Sequence, residues 1–235
     1  MSRVRVALTV ESVKPEHACG SLCVVIDVLR ASTTIVTAIA NGCPSVIPTE
    51  TPEQAREIAR GRNCLLGGER GGLRIEGFDL GNSPLEYVPE AVRNRPIAFT
   101  TTNGTRAIRA CAAAHELVIA SFLNGPAVIR LLEAEERDIL IVCAGTLGSP
   151  SIEDSVCAGM LLESLHAGED LATKEAISQW KEHRENLAGM MKFSSEHGRS
   201  LVMLGFERDI DFAAQQGLYD IIAVREDDSI VRKKA

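Results

Sequence analysis

Short apolar runs alternate with helix-like stretches along almost the whole chain, and this alternation constrains the fold more than any other feature. Leu22–Ile26 (LCVVI), residues 97–99 (IAF) and residues 138–143 (DILIVC) are short and apolar, as fully buried strands are. Residues 3–10 (RVRVALTV) alternate with period two, as a half-buried strand does. Shorter strand candidates lie at 46–47, 65–66, 117–119 and 220–224. Helical patterns fill the intervals at 33–41, 52–60, 104–114, 125–135, 152–166 and 209–216. Thr51-Pro52-Glu53 supplies an N-cap and a first-turn proline, and Gly61 is the expected stop. Residues 173–198 are charged and weakly apolar, which predicts one or two exposed helices forming a lid or an outer layer.

Strands alternating with helices imply βαβ units. The fold class expected is α/β: a three-layer α/β/α sandwich around a mostly parallel or mixed sheet. A chain of 235 residues buries roughly 70–75% of its unfolded surface and needs no disulfide or zinc staple. One domain over residues 1–235, or two tightly packed lobes, is the expected organisation. In such folds ligands bind outside the carboxyl ends of the strands.

Composition removes several function classes. Hydrophobic residues make up 45% of the chain, enough to offset chain entropy, so disorder is excluded as the dominant state. The net charge of −7 argues against a dedicated nucleic-acid binder. No apolar run reaches the roughly 18 residues of a membrane span. Glu11 and Lys14 interrupt the apolar core that a signal peptide needs, so a cytoplasmic protein is expected. The seven cysteines form no C-x-x-C pair and read as reduced thiols used as small hydrophobes. Aromatic anchors for an interface are few, and a homodimer is expected on base rates alone.

Three strand-to-helix junctions carry unusual chemistry. They are residues 27–34 (DVLRASTT), 100–106 (TTTNGTR) and 144–154 (AGTLGSPSIED). Each is rich in hydroxyls or glycine and leads into a helix. Helix N-termini offer unpaired N–H groups and a partial positive charge, which attract anions. Arginine adds a bidentate fork suited to phosphate, sulfonate or carboxylate. Any one such junction alone reads as ordinary capping. Three on one expected sheet edge, two of them with arginine, point to an anion site. Residues 67–84 form a fourth segment, with glycine at six of eighteen positions. It lacks the Gly-Lys-Ser/Thr of a Walker A loop and the G-x-G-x-x-G of a dinucleotide site. A loop this long without regular structure points to function.

The five histidines form no zinc-binding pattern and read as surface or helix-face residues. Asp27, Glu69, Glu76, Asp79, Glu153 and Asp154 place hard oxygen donors where a ligand is expected, and these suit Mg2+ beside a phosphate.

These blocks, together with S-x-x-N-G at 121–125 and L-G-F-E-R-D-I-D-F at 204–212, resemble the 2-phosphosulfolactate phosphatase family in content and order. The resemblance covers nearly the whole chain. The Gly-Gly-Glu-Arg and Thr-Thr-Asn-Gly-Thr-Arg blocks are its most specific parts. It implies an α/β phosphatase domain with Mg2+ as cofactor, hydrolysing (2R)-2-O-phospho-3-sulfolactate to 3-sulfolactate, a step of coenzyme M biosynthesis in methanogens. The chain lacks the D-x-D pair of haloacid-dehalogenase phosphatases, because Asp27 is followed by Val28-Leu29.

A small anionic phosphorylated substrate fits the residues. Asp27 and Glu69 are expected to do metal or base work, with Glu76 and Asp79 as further metal ligands. Arg30, Arg70, Arg74, Arg106, Thr102, Asn103 and Thr105, with the backbone at Gly104, are expected phosphate or sulfonate contacts, Arg30 and Arg106 at the reacting group. Asn82, Asn124 and Asp154 are expected to orient substrate or water. Direct water attack and a covalent aspartyl-phosphate on Asp27 are both open. So are another phosphorylated 2-hydroxy acid as substrate and a non-catalytic anion-binding module.

Overall fold

The computed structural model describes residues 3–168 and 170–234. The described chain opens with β1 (Val4–Ala7), a single helical turn α1 (Pro15–Ala18) and the fully buried strand β2 (Leu22–Ile26). β2 feeds α2 (Ala31–Ala40). There follow β3 (Val46–Thr49), α3 (Pro52–Arg62), β4 (Leu65–Arg70) and the two-residue β5 (Leu73–Arg74). Next come α4 (Pro89–Val92), β6 (Ile97–Thr100), α5 (Gly104–Ala110) and β7 (Glu116–Ala120). They lead to α6 (Gly125–Glu133), β8 (Ile139–Cys143) and α7 (Ile152–Ser164). Four further helices are α8 (Leu171–His183), α9 (Leu187–Phe193), α10 (Glu196–Met203) and α11 (Glu207–Ala213). A hairpin of β9 (Ala223–Glu226) and β10 (Ser229–Arg232) comes last.

The strands form one mixed sheet in the order β1-β8-β2-β7-β9-β10-β3-β6-β4-β5. β1, β8, β2 and β7 are mutually parallel, and so are β3, β6 and β4. The β9–β10 hairpin joins the two blocks through three successive antiparallel pairings, so the blocks run in opposite senses. Twist offsets that reversal. β2 and β4 are six steps apart in the sheet. At about 20–25° per step the accumulated rotation is roughly 120–150°. The carboxyl ends of β2, β4 and β6 are thereby turned toward one another, as the contacts among Arg30, Gly72, Glu69 and Thr102 show.

Helices cover both faces. On one face α2 packs against both blocks, with Ile35, Val36 and Ile39 among Val25, Ile119, Phe99 and Ile230. Nine of its ten residues are buried, which explains why its sequence (ASTTIVTAIA) has no solvated face. On the other face α7 and α8 cover the first block through Val156, Leu161 and Trp180, and α3 covers the second through Ala55 against Ala98 and Phe78.

Several boundaries differ from the sequence expectation. The first strand ends at Ala7 and not at Val10, because Thr9 and Ser12 form a capping box that starts a 3-10 turn. The helix after Thr51 passes through Gly61 and stops at Asn63, which takes the left-handed conformation (φ 51°) itself. Strand 220–224 begins only at Ala223, since the approaching chain bonds instead to Phe122 and Leu123. Residues 67–84 are not an unstructured loop: they begin as β4 and turn through Gly71-Gly72 into β5. Residues 173–198 fall in three helices. α8 is an outer layer that approaches α7 closely, since a Cβ on Gly159 would lie 2.0 Å from the Ala176 carbonyl oxygen. No helix among the described residues is long and apolar enough to cross a membrane.

Candidate active site

A cavity of about 280 Å3 opens where the carboxyl ends of β2, β4 and β6 meet. Asp27, Leu29 and Arg30 come from the β2–α2 junction, Glu69, Gly71 and Gly72 from the β4–β5 turn, and Thr101, Thr102 and Asn103 from the β6–α5 junction. Asn82, Thr146 and Leu147 complete the walls. α10 forms the roof with Glu196, His197, Ser200, Leu201 and Leu204.

Asp27 stands at the N-terminus of α2. The Ala31 N–H donates to its Oδ1 at 3.2 Å, and Ser32 Oγ accepts from its own N–H at 2.9 Å. Burial pushes its carboxyl up to about 7, the Ala31 N–H opposes this, and the charges of Glu69 and Glu153 add to the rise. Behind it, Asp154 in the first turn of α7 accepts from the N–H groups of Val28 (2.8 Å) and Gly145 (3.1 Å). It ties two junctions together, and burial followed by the charges of Asp27 and Glu153 raises its pKa. Burial also raises Glu153, whose Oε2 has no hydrogen-bond partner among the described residues.

Glu69 is held from three sides. Its Oε1 accepts from Thr102 N (2.8 Å) and Thr102 Oγ1 (3.0 Å), and its Oε2 accepts from Gly72 N (2.9 Å). The glycine at 104 is required by close approach: a Cβ there would lie 2.5 Å from Ala31 Cβ and 2.8 Å from Asp27 Oδ2. The first turns of α2 and α5 therefore meet directly beside Asp27.

Arg30 lines the cavity but is largely committed to the protein. Its Nη1 donates to Asp209 Oδ2 at 2.7 Å, its Nη2 donates to the Gly72 carbonyl at 2.6 Å, and its guanidinium carbon lies 4.3 Å from the Phe206 ring centre. Ser83 Oγ donates to the other Asp209 oxygen at 2.7 Å. Arg30 Nε and Asn82 Oδ1 are both buried without a hydrogen-bond partner among the described residues. Both residues line the cavity, and buried polar atoms of this kind ordinarily have a partner.

The structure thus brings Asp27, Arg30, Glu69, Asn82, Thr102 and Asn103 to one cavity. The other expected site residues lie elsewhere. Arg70 donates to the carbonyls of Glu69 and Glu50 and to Thr100 Oγ1, and with Thr105 and Arg106 it lines a separate groove behind Thr101 and Thr102. Arg106 pairs there with Glu11 at 2.9 Å. Arg74, Glu76 and Asp79 are exposed, with Asp79 Oδ2 accepting from Leu66 N at 2.8 Å. Asn124 is buried and closes the turn after β7 by accepting from Ser121 N. Glu76 and Asp79 are outside the cavity lining, so of the four expected metal ligands Asp27 and Glu69 are the two that share it. Among the described residues no three His, Cys, Asp or Glu groups are gathered around one point as a preformed metal cage.

His197 is the lining residue that reading by motif passes over. Its burial and the charge of Arg30 lower its pKa, which Glu69 and the Leu29 carbonyl facing its ring partly restore. A signal was present: His197, Ser200, Leu201 and Leu204 follow i, i+3, i+4, i+7 spacing behind an N-cap serine, Ser195.

Comparison with known proteins agrees across the chain. A family profile described as 2-phosphosulpholactate phosphatase matches residues 7–228. A protein of Symbiobacterium thermophilum named "Probable 2-phosphosulfolactate phosphatase" is 47% identical over 225 residues, covering 92% of this chain and 96% of that one. Proteins with the same name from Clostridium perfringens (37% identical, covering 94% of this chain and 92% of that one) and Thermotoga maritima (43%, covering 85% and 86%) are similar over comparable spans.

Proposed function

The chain belongs to the 2-phosphosulfolactate phosphatase family of phosphoric monoester hydrolases, and from that premise we propose that it hydrolyses (2R)-2-O-phospho-3-sulfolactate to (2R)-3-sulfolactate and inorganic phosphate with Mg2+ as cofactor. A cytoplasmic enzyme, working in coenzyme M biosynthesis or supplying sulfolactate for another use, is part of the same reading.

The charge balance of the cavity carries it. Asp27, Glu69 and Glu196 face a single arginine, Arg30, which Asp209 already neutralises. Phosphosulfolactate brings phosphate, sulfonate and carboxylate, and these repel such a lining unless a cation intervenes. Asp27 and Glu69 would hold that cation. Mg2+ binds through one or two carboxylates and takes its remaining ligands from water and substrate phosphate, so this pair suffices. When bound, the ion supplies charge neutralisation and polarisation of the phosphoryl oxygens.

The chain's own residues do the rest. Arg30 lines the cavity, and its Nε–H, without a partner among the described residues, is the donor we assign to a phosphoryl oxygen. Thr102 and Asn103 present the entry to α5 to the same group. Asn82 orients substrate or water through its free amide oxygen. Leu201 and Leu204 give the roof an apolar lining beside these contacts.

A second substrate is favoured by one observation. Arg70, Arg74 and Arg106 lie outside the cavity, so no arginine cluster awaits the sulfonate there. A phosphorylated 2-hydroxy acid without a sulfonate needs no such cluster. Phosphate release from 2-phosphosulfolactate, phosphoglycolate, phospholactate and 3-phosphoglycerate, with Mg2+, with EDTA and with Glu69→Gln, separates the readings. Mg2+-dependent release that prefers phosphosulfolactate is expected. Preference for another member of the panel replaces the substrate, and no release from any of them leaves an anion-binding module.

A further inference from the structure

We propose that His197 is a catalytic residue of this site, the general base that takes the proton of the attacking water. The inference rests on reading the chain as a phosphoric monoester hydrolase.

The argument starts from how the residue is held. His197 lies in the first turn of α10, and Ser195 caps that helix by accepting from the Gly198 N–H at 2.8 Å. Ser195 is itself buried, so this turn is fixed against the body of the protein. The helix face bearing His197, Ser200, Leu201 and Leu204 forms the cavity roof. The imidazole is therefore presented to the cavity by a capped helix and not by a loop.

The second part is the protonation state of the ring. The ring lines the cavity together with Asp27, Glu69 and Arg30. In its neutral form an imidazole has one donor and one acceptor nitrogen, and the acceptor carries a lone pair. Burial and the neighbouring guanidinium of Arg30 favour this neutral form, with Glu69 opposing.

The third part is the state of the competing bases. Glu69 already accepts three hydrogen bonds from Gly72 and Thr102. Asp27 is bound to the Ala31 N–H and stands in the cation pair proposed above. Glu196 is exposed. Arg30 has no lone pair to offer. His197 is left as the neutral acceptor among the side chains that line the cavity.

In the step, a water oxygen bonds to phosphorus while one of its O–H bonds breaks and the proton passes to His197. The bond between phosphorus and the oxygen carried by the substrate's second carbon breaks, and that oxygen leaves as an alkoxide with the electron pair and takes a proton from solvent. His197 then returns its proton to solvent, so charge and protons balance over the cycle.

The test compares wild type, His197→Ala and His197→Gln with Mg2+ on 2-phosphosulfolactate and on the panel above, with thermal unfolding to check each variant. General base catalysis contributes about 10²–10⁴-fold, so kcat should fall by at least about 100-fold while KM stays within about threefold. Added imidazole should restore part of the rate to His197→Ala but not to His197→Gln, whose side chain fills the space. A folded variant with kcat within about fivefold of wild type, or a loss confined to KM, overturns the proposal. Should His197→Ala fail to fold, His197→Gln decides alone by the same limits. If wild type prefers another ester, the substrate reading falls and the ratio on that ester still judges His197. If wild type releases phosphate from none, both fall together.

Discussion

Arg30 donates to Asp209 at 2.7 Å with both side chains almost completely buried, and this pair fastens α11 to the entrance of α2 beneath the cavity. The contact makes Arg30 a structural tie as well as a cavity residue. Breaking a buried pair leaves an uncompensated charge, which typically costs about 3–5 kcal/mol. Asp209→Asn should therefore lower unfolding stability in urea by an amount of that order. Asp209 also accepts from Ser83, so the variant loosens the wall that carries Asn82. A loss below about 1 kcal/mol would mean that solvent reaches the pair.

Gly104→Ala tests the meeting of two helix entrances. The new methyl would lie 2.5 Å from Ala31 Cβ and 2.8 Å from Asp27 Oδ2, closer than atoms tolerate. Overpacking of this kind costs about 1–3 kcal/mol. The expected result is a folded but less stable protein that has lost most of its phosphatase activity, because the strain falls on Asp27. Wild-type turnover in this variant would show that α5 shifts without consequence.

Asp27 gives stability a pH dependence of defined sign. Its carboxyl is raised to about 7 in the folded protein. In the unfolded chain it returns to about 3.9. Between those values the folded form binds more protons, so stability falls as pH rises through the window and is flat above it. Glu153 and Asp154 shift in the same direction. Without divalent cations, unfolding free energy should be higher at about pH 5.5 than at about pH 8, by a few kcal/mol. Asp27→Asn should flatten the difference and be the more stable protein at the upper pH. Greater wild-type stability at the upper pH contradicts this account.

Mg2+ should act on stability as well as on turnover. A ligand that binds only the folded protein stabilises it by about 2.7 kcal/mol at one hundred times its Kd. Differential scanning fluorimetry with increasing Mg2+ should therefore show a rising Tm for wild type. Glu69→Gln should reduce the shift, and EDTA should reverse it. An unchanged Tm across millimolar Mg2+ argues against a cation on Asp27 and Glu69.

Much of the cavity was legible because strand-to-helix junctions announce themselves locally. Leu22–Ile26 has the bounds its apolar run predicts, and Asp27 stands at its carboxyl end. The β6–α5 junction was equally clear, since Thr-Thr-Asn-Gly has few readings before a helix. What sequence could not convey was direction at long range. Arg70 and Glu69 are neighbours on one strand, so their side chains leave it on opposite faces, and one lines the cavity while the other lines the groove behind it. Arg74 and Asp79 belong to the same conspicuous block yet end at the surface. His197 was obscure for the opposite reason: its helix announces a capped face and no ligand motif, and only the fold brings that face over the cavity.

The β9–β10 hairpin has a consequence for how the molecule is made. Residues 223–232 follow all the other strands in the chain, yet they form the seam in the middle of the sheet. During translation each parallel block can assemble as its strands leave the ribosome, but the edges of β7 and β3 stay bare until this segment emerges. Bare edges invite pairing with other chains. A chain cut short before the hairpin would therefore carry two unpaired strand edges, one on each parallel block, and should aggregate more readily than the full chain.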